Sequence, residues 1–395
     1  MPELSSQQRV FQIFSVVMFT FVCYLSVALP LAVLPGYVHN DLGFNSIMAG
    51  VVISAQSLAT LFSRPQAGRY ADLWGAKKVV TLGLICCALS GVFYGFGMWM
   101  SHLPWVSLGL IIVGRLFLGW GESFTSTGSM LWGMTLVGSR HTAQVISWNG
   151  VATYGAIAIG APLGVWINHS THLYGLSIFI FVVGLLAMLI AIRRPNVTIV
   201  TGSRVPFSQV LGKIWTFGLG LAFGSLGFAV VTTFITLYFA ANHWLGAAYT
   251  LTAFSIGFVG MRLVLGTSIN RYGGLRVSLA SFGVEAVGLL LICLAPNAWV
   301  AGFGALLTGT GFSLIFPGLG VEAVKYVPEQ NQGTALGTYS AFFDLALTIA
   351  GPMAGLAITY TGLASIYLYA AILVIVAALM VRQMVVRRAR LMLPH

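Results

Sequence analysis

Residues 64–78 read RPQAGRYADLWGAKK and lie between two long apolar runs. They hold five charged side chains in a chain of which only 7% is charged. Residues 262–273 read RLVLGTSINRYG and repeat the frame Arg-x3-Gly-x3-Asp/Asn-x2-Gly. The matching positions, all 198 residues apart, are Arg64 and Arg262, Gly68 and Gly266, Asp72 and Asn270, and Gly75 and Gly273. Four matches at one offset near half the chain length indicate two copies of one helical unit.

The composition of the chain indicates a membrane protein. Of its 395 residues, 58% are hydrophobic and 7% are charged, whereas about a quarter of the residues of a soluble domain are charged. The formal net charge of +11 would favour nucleic-acid binding in a soluble protein. In a membrane protein, the placement of the basic residues instead indicates how the spans are oriented in the bilayer. We therefore expect a lipid bilayer around the chain and no nucleic-acid partner. The cysteines lie inside apolar runs without metal-ligand spacing, so we predict no metal site and no cofactor; they are Cys23, Cys86, Cys87 and Cys293.

A helix needs about 20 apolar residues to cross the hydrocarbon core of a bilayer. On this rule the sequence contains twelve spans, which predicts an all-α membrane protein with twelve transmembrane helices. The first six are residues 11–37, 45–68, 79–99, 105–132, 144–167 and 174–192. The second six are residues 214–241, 248–268, 277–295, 299–323, 333–359 and 364–383.

The lysines and arginines set the orientation of these spans, because cytoplasmic segments are enriched in both residues. With the N-terminus inside, sixteen of the nineteen fall in cytoplasmic loops or tails, and none falls in an outer loop. The remaining three, Arg64, Arg115 and Arg262, lie within spans. We therefore expect a multi-pass membrane protein with both termini in the cytoplasm.

The longest polar stretch between spans separates two halves of similar length. Residues 193–213 follow the sixth span and contain Pro195 and Pro206. We predict an N-terminal six-helix bundle at residues 1–192, a cytoplasmic linker at 193–213 and a C-terminal six-helix bundle at 214–395. The repeat described above makes the two bundles pseudo-symmetric.

Three motifs along the chain resemble those of the major facilitator superfamily. The loop between spans two and three matches the signature of that superfamily at this place, and span four reads RLFLGWGE at residues 115–122, which is similar to its helix-four motif. Span five looks like the glycine-proline motif of the exporting, antiporter branch, at Gly155, Gly160, Pro162 and Gly164, and residues 351–355 of span eleven echo it. The resemblance covers essentially the whole chain and is nearest to bacterial drug-efflux-like members, in the YhhS/YfcJ-like group. It implies the fold of that superfamily and transport by alternating access.

The loop motif has the residues of a cytoplasmic gate latch. Asp72 stands where the chain leaves span two, and an anion there can accept hydrogen bonds from the N-terminus of a neighbouring helix and from Arg69. Such a charge-assisted contact contributes about 1.5–3 kcal/mol. The alternative is a basic loop that only fixes topology. The second copy has Asn270 instead, so a latch there should be weaker or absent. The predicted gating motif comprises Arg64, Gly68, Arg69, Asp72, Gly75, Lys77 and Lys78.

Ionisable groups within the spans are candidates for proton coupling. Arg115 and Glu122 are seven residues apart, so they share one face of span four. Charges at that depth normally face a cavity or a partner, and we predict proton coupling for Glu122 and a substrate or charge-relay role for Arg115. Asp344 is the only acid of span eleven and is the second predicted proton-coupling site. The alternatives are an ion pair between helices for the first two residues and a hydrogen-bonded carboxyl for Asp344.

Other polar and aromatic residues of the spans are predicted to belong to the substrate site. Trp120, Asn149, Tyr154 and Tyr339 are expected to contact substrate, with packing in the core or against lipid as the alternative for each. Glu285 of span nine is expected to form a structural ion pair with Arg262 of span eight. The glycines and proline of span five are expected to bend that helix and to make a dry interface that limits ion leakage; the alternative is generic glycine packing.

These features predict a secondary active transporter and not an enzyme. The spans contain no Ser/His/Asp or metal-ligand cluster, and the chain has no phosphate-binding loop of the G-x4-GK[ST] type. We expect proton-coupled efflux, by antiport, of a small organic or amphipathic solute by a monomer in the bacterial inner membrane. The alternatives are a proton-coupled importer or uniporter of a sugar or other metabolite and, more distantly, a non-transporting membrane receptor.

Overall fold

The structure is a computed structural model that describes residues 5–31, 33–197, 202 and 204–391. Within these residues the chain forms thirteen α-helices and no strand, so the predicted all-α architecture is confirmed. The helices are α1 (Ser6–Leu31), α2 (Leu34–Gly36), α3 (Ser46–Trp74), α4 (Ala76–Trp99), α5 (Pro104–Val137), α6 (Thr142–Arg193), α7 (Phe207–Ala241), α8 (Ala247–Leu265), α9 (Ser268–Tyr272), α10 (Gly274–Cys293), α11 (Ala298–Lys325), α12 (Gln332–Thr361) and α13 (Ser365–Leu391). Short helical turns at Tyr37–Asp41, Ser139–His141 and Glu329–Asn331 precede α3, α6 and α12.

Ten helical segments of the described residues are long and apolar enough to cross a bilayer. They coincide with ten of the twelve predicted spans. The second span corresponds to α3, which is 29 residues long and carries Arg64, Arg69 and Asp72 between its middle and its C-terminal end. The eighth corresponds to Tyr249–Leu265, which is apolar but shorter than the others. Every predicted span therefore coincides with a helix.

Helix α6 contains two predicted spans in one run of 52 residues. A straight helix of this length would be about 78 Å long, whereas the hydrocarbon core of a bilayer is about 30 Å thick. The contacts resolve this mismatch: the first part of α6 runs alongside α1 in the same direction, and the second part runs opposite to α4. Helices α1 and α4 are the first and third crossings, so the two parts of α6 are separate, opposed crossings. The contacting pairs are Thr20 with Asn149, Leu29 with Gly164, Gly91 with Ser177 and Lys77 with Arg194.

The contacts of the chain divide it into two compact units. The first unit comprises Met1–Phe207 together with Pro328–Ala341, and the second comprises Ser208–Val327 together with Phe342–His395. Helix α12 thus begins in the first unit and continues in the second. The bundles and linker expected from the sequence remain a prediction, and residues 198–201 and 203 of that linker lie outside the described residues.

Aromatic and small side chains build the cores of the units. In the first unit, the ring of Phe19 on α1 stacks on Trp132 of α5 with a centroid distance of 5.9 Å. In the second, Ala222 and Ala229 of α7 share one buried cluster with Ala346 of α12. Because lipid tails are as apolar as the side chains, helices in a bilayer associate through close packing, and small residues allow that approach.

The repeat in the sequence corresponds to a repeated turn in the structure. Gly75 has φ +89° and is followed by α4, and Gly273 has φ +86° and is followed by α10. Glycine adopts this left-handed region without strain, which explains why both copies place glycine at this point. The copies differ at the acidic position, because Asp72 is buried whereas Asn270 is exposed.

Candidate functional site

Glu122 of α5 forms a buried ion pair in the first unit. The Nη2 atom of Arg64, on α3, lies 3.2 Å from Glu122 Oε1. The second carboxyl oxygen, Oε2, accepts hydrogen bonds from Gln56 Nε2 at 2.9 Å and from Thr60 Oγ1 at 3.2 Å. Arg64 and Glu122 are 3% and 8% exposed. Three side chains of α3 therefore donate to the two carboxyl oxygens of Glu122.

The spacing of residues on α3 and a glycine on α5 explain how this pair forms. Positions 56, 60 and 64 are four residues apart and lie on one face of α3. At Gly119 of α5, an added Cβ would lie 2.5 Å from the carbonyl oxygen of Gln56. The missing side chain lets the two helices approach, and the carboxyl of Glu122 then reaches the polar face of α3. Arg64 Nη2 also donates to Tyr24 Oη at 3.3 Å, which adds α1 to the site.

A second chain of polar groups lies one helical turn from Glu122. Thr20 Oγ1 of α1 donates to Asn149 Oδ1 of α6 at 2.7 Å. Asn149 Nδ2 donates in turn to Ser126 Oγ of α5 at 3.4 Å. All three side chains are at most 5% exposed. Asn149 of α6 is therefore a buried polar group bonded to α5 one turn from Glu122.

Arg115 lies on α5 but does not pair with Glu122. Its side chain is 1% exposed, and Nη2 lies 3.5 Å from the carbonyl oxygen of Ile53. Its Nε and Nη1 atoms have no hydrogen-bond partner among the described residues. The cation that neutralises Glu122 is Arg64, which the sequence analysis assigned to the gating motif instead. A signal was present in the sequence, because a charge within a span normally requires a partner at the same depth.

The other residues predicted to bind substrate or protons are not hydrogen-bonded to Glu122 among the described residues. Trp120 is 48% exposed, and its ring meets Phe117 edge-on at 5.8 Å. Tyr154 is partly buried. Tyr339 is fully buried in α12, and Asp344 is 9% exposed on the part of α12 that belongs to the second unit.

Asp72 binds the N-terminus of α12. Its Oδ1 accepts a hydrogen bond from Gly333 N at 2.7 Å. Its Oδ2 accepts from Thr334 N at 2.7 Å and from Thr334 Oγ1 at 2.6 Å. The first N–H groups of a helix lack partners within the helix and carry its positive dipole end, so a carboxylate is the natural acceptor there. The expected hydrogen bonds from a neighbouring helix N-terminus are present, but none from Arg69, which is exposed.

Glycines allow α3 and α12 to touch backbone to backbone. A Cβ at Gly68 would overlap the carbonyl oxygen of Gly333, and a Cβ at Gly337 would overlap that of Arg64. The two helices therefore cross with no side chain between them. Any larger residue at position 68 must separate Asp72 from the α12 terminus.

The polar segment after α6 also binds the end of α3 and the turn before α12. Arg204 Nη2 donates to the carbonyl oxygen of Asp72 at 2.7 Å. Val205 N donates to Asn331 Oδ1 at 3.1 Å, and Asn331 Nδ2 donates to Val205 O at 3.2 Å. Lys77 binds the carbonyl oxygen of Arg194. Lys78 is exposed.

The glycine-proline stretch of α6 packs against α1. A Cβ at Gly160 would lie 2.6 Å from the Cβ of Ala28, and one at Gly164 would overlap the carbonyl oxygen of Leu29. Gly155 has open space around it, and Pro162 is exposed. The close contact with α1 thus involves the last two glycines of the motif.

The predicted ion pair of Arg262 with Glu285 is wrong. Both carboxyl oxygens of Glu285 lack a hydrogen-bond partner within the described residues. Arg262 instead donates Nε to the carbonyl oxygen of Ser313 at 3.1 Å, and its guanidinium lies 4.5 Å from the ring centroid of Phe258. The carboxyl group of Glu285 lies against Gly224 and Gly227 of α7 instead.

No three His, Cys, Asp or Glu side chains in the described part of the chain are close enough to hold a metal ion. The four cysteines are free thiols, and the thiol of Cys87 lies 3.3 Å from that of Cys23.

Comparison with known proteins identifies the family. The sequence profile of the Major Facilitator Superfamily matches residues 16–248 and 217–391. The chain belongs to this superfamily. Over 379 residues it is 52% identical to the uncharacterized MFS-type transporter YhhS of Escherichia coli K12, which covers 96% of this chain and 94% of that protein. The identity and coverage are the same for the YhhS of Salmonella typhimurium LT2.

Solved structures of the superfamily share the fold. The human organic anion transporter MFSD10 matches with a TM-score of 0.78 and 16% identity over 96% of this chain and all of its own. The fucose:proton symporter FucP of E. coli matches with a TM-score of 0.75 and 16% identity, over 94% of this chain and 98% of its own. The resemblance deduced from the sequence motifs is therefore confirmed. The chain is a multi-pass membrane transporter whose relatives are transporters and not enzymes.

The carboxyl group of Asp72 is expected to make the folding stability of this protein depend on pH. It lies beyond the predicted span 45–68, and burial raises its pKa from 3.8 to about 6, although the hydrogen bonds from Thr334 and Gly333 oppose this shift. Because the pKa is raised, folded protein binds the proton more tightly than unfolded protein. The stabilisation by Asp72 is therefore complete below pH 3.8 and is lost as the pH rises through 6.

We expect the wild type to lose about 0.8 kcal/mol of stability, about fourfold in the folding equilibrium, relative to Asp72→Asn between pH 5.5 and 7.5. Thermal unfolding of both proteins in the same detergent measures this difference, since titration of all other groups is common to them. A wild-type-to-variant difference that stays constant over this range would contradict the prediction.

Proposed function

We propose that this chain is a proton-coupled exporter that exchanges a small organic, amphipathic solute for protons by alternating access. The observation that carries the proposal is the buried pair of Arg64 and Glu122, with Gln56 and Thr60 on the second carboxyl oxygen. A proton on Glu122 cancels its charge and removes an acceptor for these donors. Arg64 is then available to a polar or anionic group of the solute, so proton and solute compete for one site.

The contact between α1 and α6 supports exchange rather than co-transport. The glycines of α6 that resemble the motif of the antiporter branch lie directly against α1 at Ala28 and Leu29. A contact this close leaves no room for water between the helices. A dry seam of this kind keeps protons from leaking past the site, as an antiporter requires.

The contact of Asp72 with the first turn of α12 supports a cytoplasmic latch. It joins the last turn of α3 to a helix that begins in the same unit and continues into the second unit. We propose that the latch is closed when the site is open to the outside and breaks when the site opens to the cytoplasm. Both termini then lie in the cytoplasm, and the transporter works as a monomer in the bacterial inner membrane.

The proton gradient is sufficient to drive such a cycle. Each proton that enters the cell releases about 2.3 kcal/mol per 100 mV of membrane potential. One proton per solute at 100 mV corresponds to an almost fiftyfold concentration ratio, since about 1.4 kcal/mol is a factor of ten.

The direction of coupling is tested by the sign of a pH change. Proteoliposomes containing the full chain and a lumenal pH dye receive ethidium, salicylate or xylose from outside. We expect an aromatic solute to raise the lumenal pH, because solute entry moves protons out by antiport whichever way the protein is inserted. Lumenal acidification would show symport, and solute entry with no pH change would show uniport; either outcome rejects the proposed exchange.

We expect Glu122→Gln to lower the solute-linked pH change at least tenfold, because glutamine keeps the shape of the side chain but cannot bind a proton. The matched control is Glu329→Gln, since Glu329 is an exposed acid of the turn before α12. If Glu122→Gln retains the wild-type pH change, Glu122 does not carry the proton.

A further inference from the structure

Glu285 is a buried acid for which the proposed cycle so far has no role. It is the twelfth residue of α10, a helix of 20 residues, and it is 0% exposed. Both of its carboxyl oxygens are buried and have no hydrogen-bond partner in the described part of the chain. An ionised carboxylate in such a place would be very costly, so these surroundings favour the neutral acid.

The carboxyl group of Glu285 lies in a recess made by glycines. A Cβ at Gly227 of α7 would overlap Glu285 Oε1, and one at Gly224 would lie 3.5 Å from Oε2. On the other side, a Cβ at Gly311 of α11 would lie 2.4 Å from the backbone nitrogen of Glu285. At these two positions the backbone of α7 therefore lies directly against the carboxyl group.

No charged group from the surrounding helices reaches this recess. Three candidate residues have other partners: Tyr238 of α7 donates to the carbonyl oxygen of Ile292, Glu322 of α11 pairs with Lys325, and Arg262 of α8 donates to the carbonyl oxygen of Ser313. Lys213 is eleven residues before Gly224, which is about 16 Å along α7. The other charged or titratable residues with described side chains on α10, or on and next to the helices that pack on it, are Arg271, Tyr272, Arg276, Cys293, Tyr326, Tyr367, Tyr369, Arg382 and Arg387. None of them hydrogen-bonds to Glu285.

The first unit indicates that packing does not require an acid here. The residue 198 positions earlier is Cys87 of α4, and Gly121 lies against Cys87 as Gly311 lies against Glu285. A small, weakly polar side chain thus fills the equivalent place, where the thiol of Cys87 contacts Cys23 of α1. The carboxyl group is therefore a property of the second unit alone.

We propose that Glu285 is a second proton-binding site of this transporter, closed by the glycines of α7. While α7 covers the recess, the carboxyl group keeps its proton. When α7 moves away from α10, water enters and the proton passes from the carboxyl oxygen to water, which leaves a hydrated carboxylate. The role of this proton in transport rests on the proposed function; its presence on Glu285 and its exchange with water do not.

Infrared spectroscopy of the full chain in lipid tests the site directly. We expect the wild type to show at neutral pH the C=O band of a protonated carboxylic acid that exchanges in D₂O. This band should disappear in Glu285→Gln and remain in Glu329→Gln. Glu285→Cys places the residue of the first unit at this position, so it provides a folded variant without the acid if the glutamine variant does not fold. A band that persists in both variants, or that never exchanges in D₂O, overturns the proposal.

A transport measurement separates this site from the exchange proposed above. We expect Glu285→Gln to lower the solute-linked pH change at least tenfold, while exchange of labelled for unlabelled solute at equal pH stays within twofold of the wild type. A variant with both activities unchanged would make Glu285 a structural acid and overturn the proposal. If the wild type itself couples no protons to any solute, the proposed function fails, and the infrared band still decides whether Glu285 holds an exchangeable proton.

Discussion

Replacing Arg64 by methionine is expected to destabilise the first unit by about 3–5 kcal/mol and to abolish transport. The substitution keeps the length and apolar stem of the side chain, but it leaves Glu122 with a buried charge and no cation. The hydrogen bonds from Gln56 and Thr60 remain, yet they do not neutralise the carboxylate. Thermal unfolding in detergent and solute-linked pH change in proteoliposomes measure the two effects.

Two control variants distinguish the effect of breaking the pair of Arg64 and Glu122 from the effect of removing any arginine. Arg69→Met removes an exposed arginine of the same helix and should leave stability within about 0.5 kcal/mol of the wild type. The double variant Arg64→Met with Glu122→Gln should recover most of the stability but no transport, because no buried charge is left uncompensated. Equal stability of the single and double variants would contradict the assigned pairing.

Replacing Gly68 by leucine is expected to separate α3 from the start of α12 and to release Asp72 from its partners. The added side chain would overlap the backbone of Gly333, which cannot yield as a flexible side chain could. The three hydrogen bonds to Asp72 depend on the same approach, so they are lost together. We expect the amides of Gly333 and Thr334 to exchange with solvent at least a hundredfold faster, as measured by hydrogen–deuterium exchange.

Gly50→Leu is the control for this substitution, because Gly50 lies on the same helix with open space around it. It should leave the exchange of both amides unchanged and cost no stability, since leucine favours helix more than glycine does. Protection of Gly333 and Thr334 that survives in Gly68→Leu would mean that α12 is held by other contacts and that Asp72 is not its latch. Transport should fall in Gly68→Leu and not in Gly50→Leu.

The sequence was most informative where the requirement is local. The positive φ of Gly75 and Gly273 belongs to a turn of a few residues, so the repeat found in the sequence corresponds to a repeated local structure. The acceptor role of Asp72 at a helix N-terminus followed from charge alone. Its donors, Gly333 and Thr334, lie more than 260 residues further along the chain, and no local pattern could name them.

The ionisable groups within the spans show that helical periodicity does not identify the partner of a buried charge. Helical spacing placed Arg115 and Glu122 on one face of α5, but it does not say which helix faces them. In the structure Glu122 meets Arg64 of α3, while Arg115 lies near Ile53. The expected pair of Arg262 and Glu285 failed for the same reason, because the rotation of α8 and α10 about their axes depends on the packing of glycines against neighbouring helices.

The amino-acid sequence by itself determined the class of the protein, the positions of its twelve spans, the repeat and the superfamily, because these depend on apolar run length, on local backbone requirements and on short motifs. Only the tertiary structure decided that Arg64 is the partner of Glu122, that Asp72 holds the first turn of α12, and that Glu285 lies unpaired beneath Gly227. Partners of a buried charge are chosen by how helices from distant parts of the chain approach, and that approach depends on the sum of many weak packing contacts rather than on any one stretch of sequence.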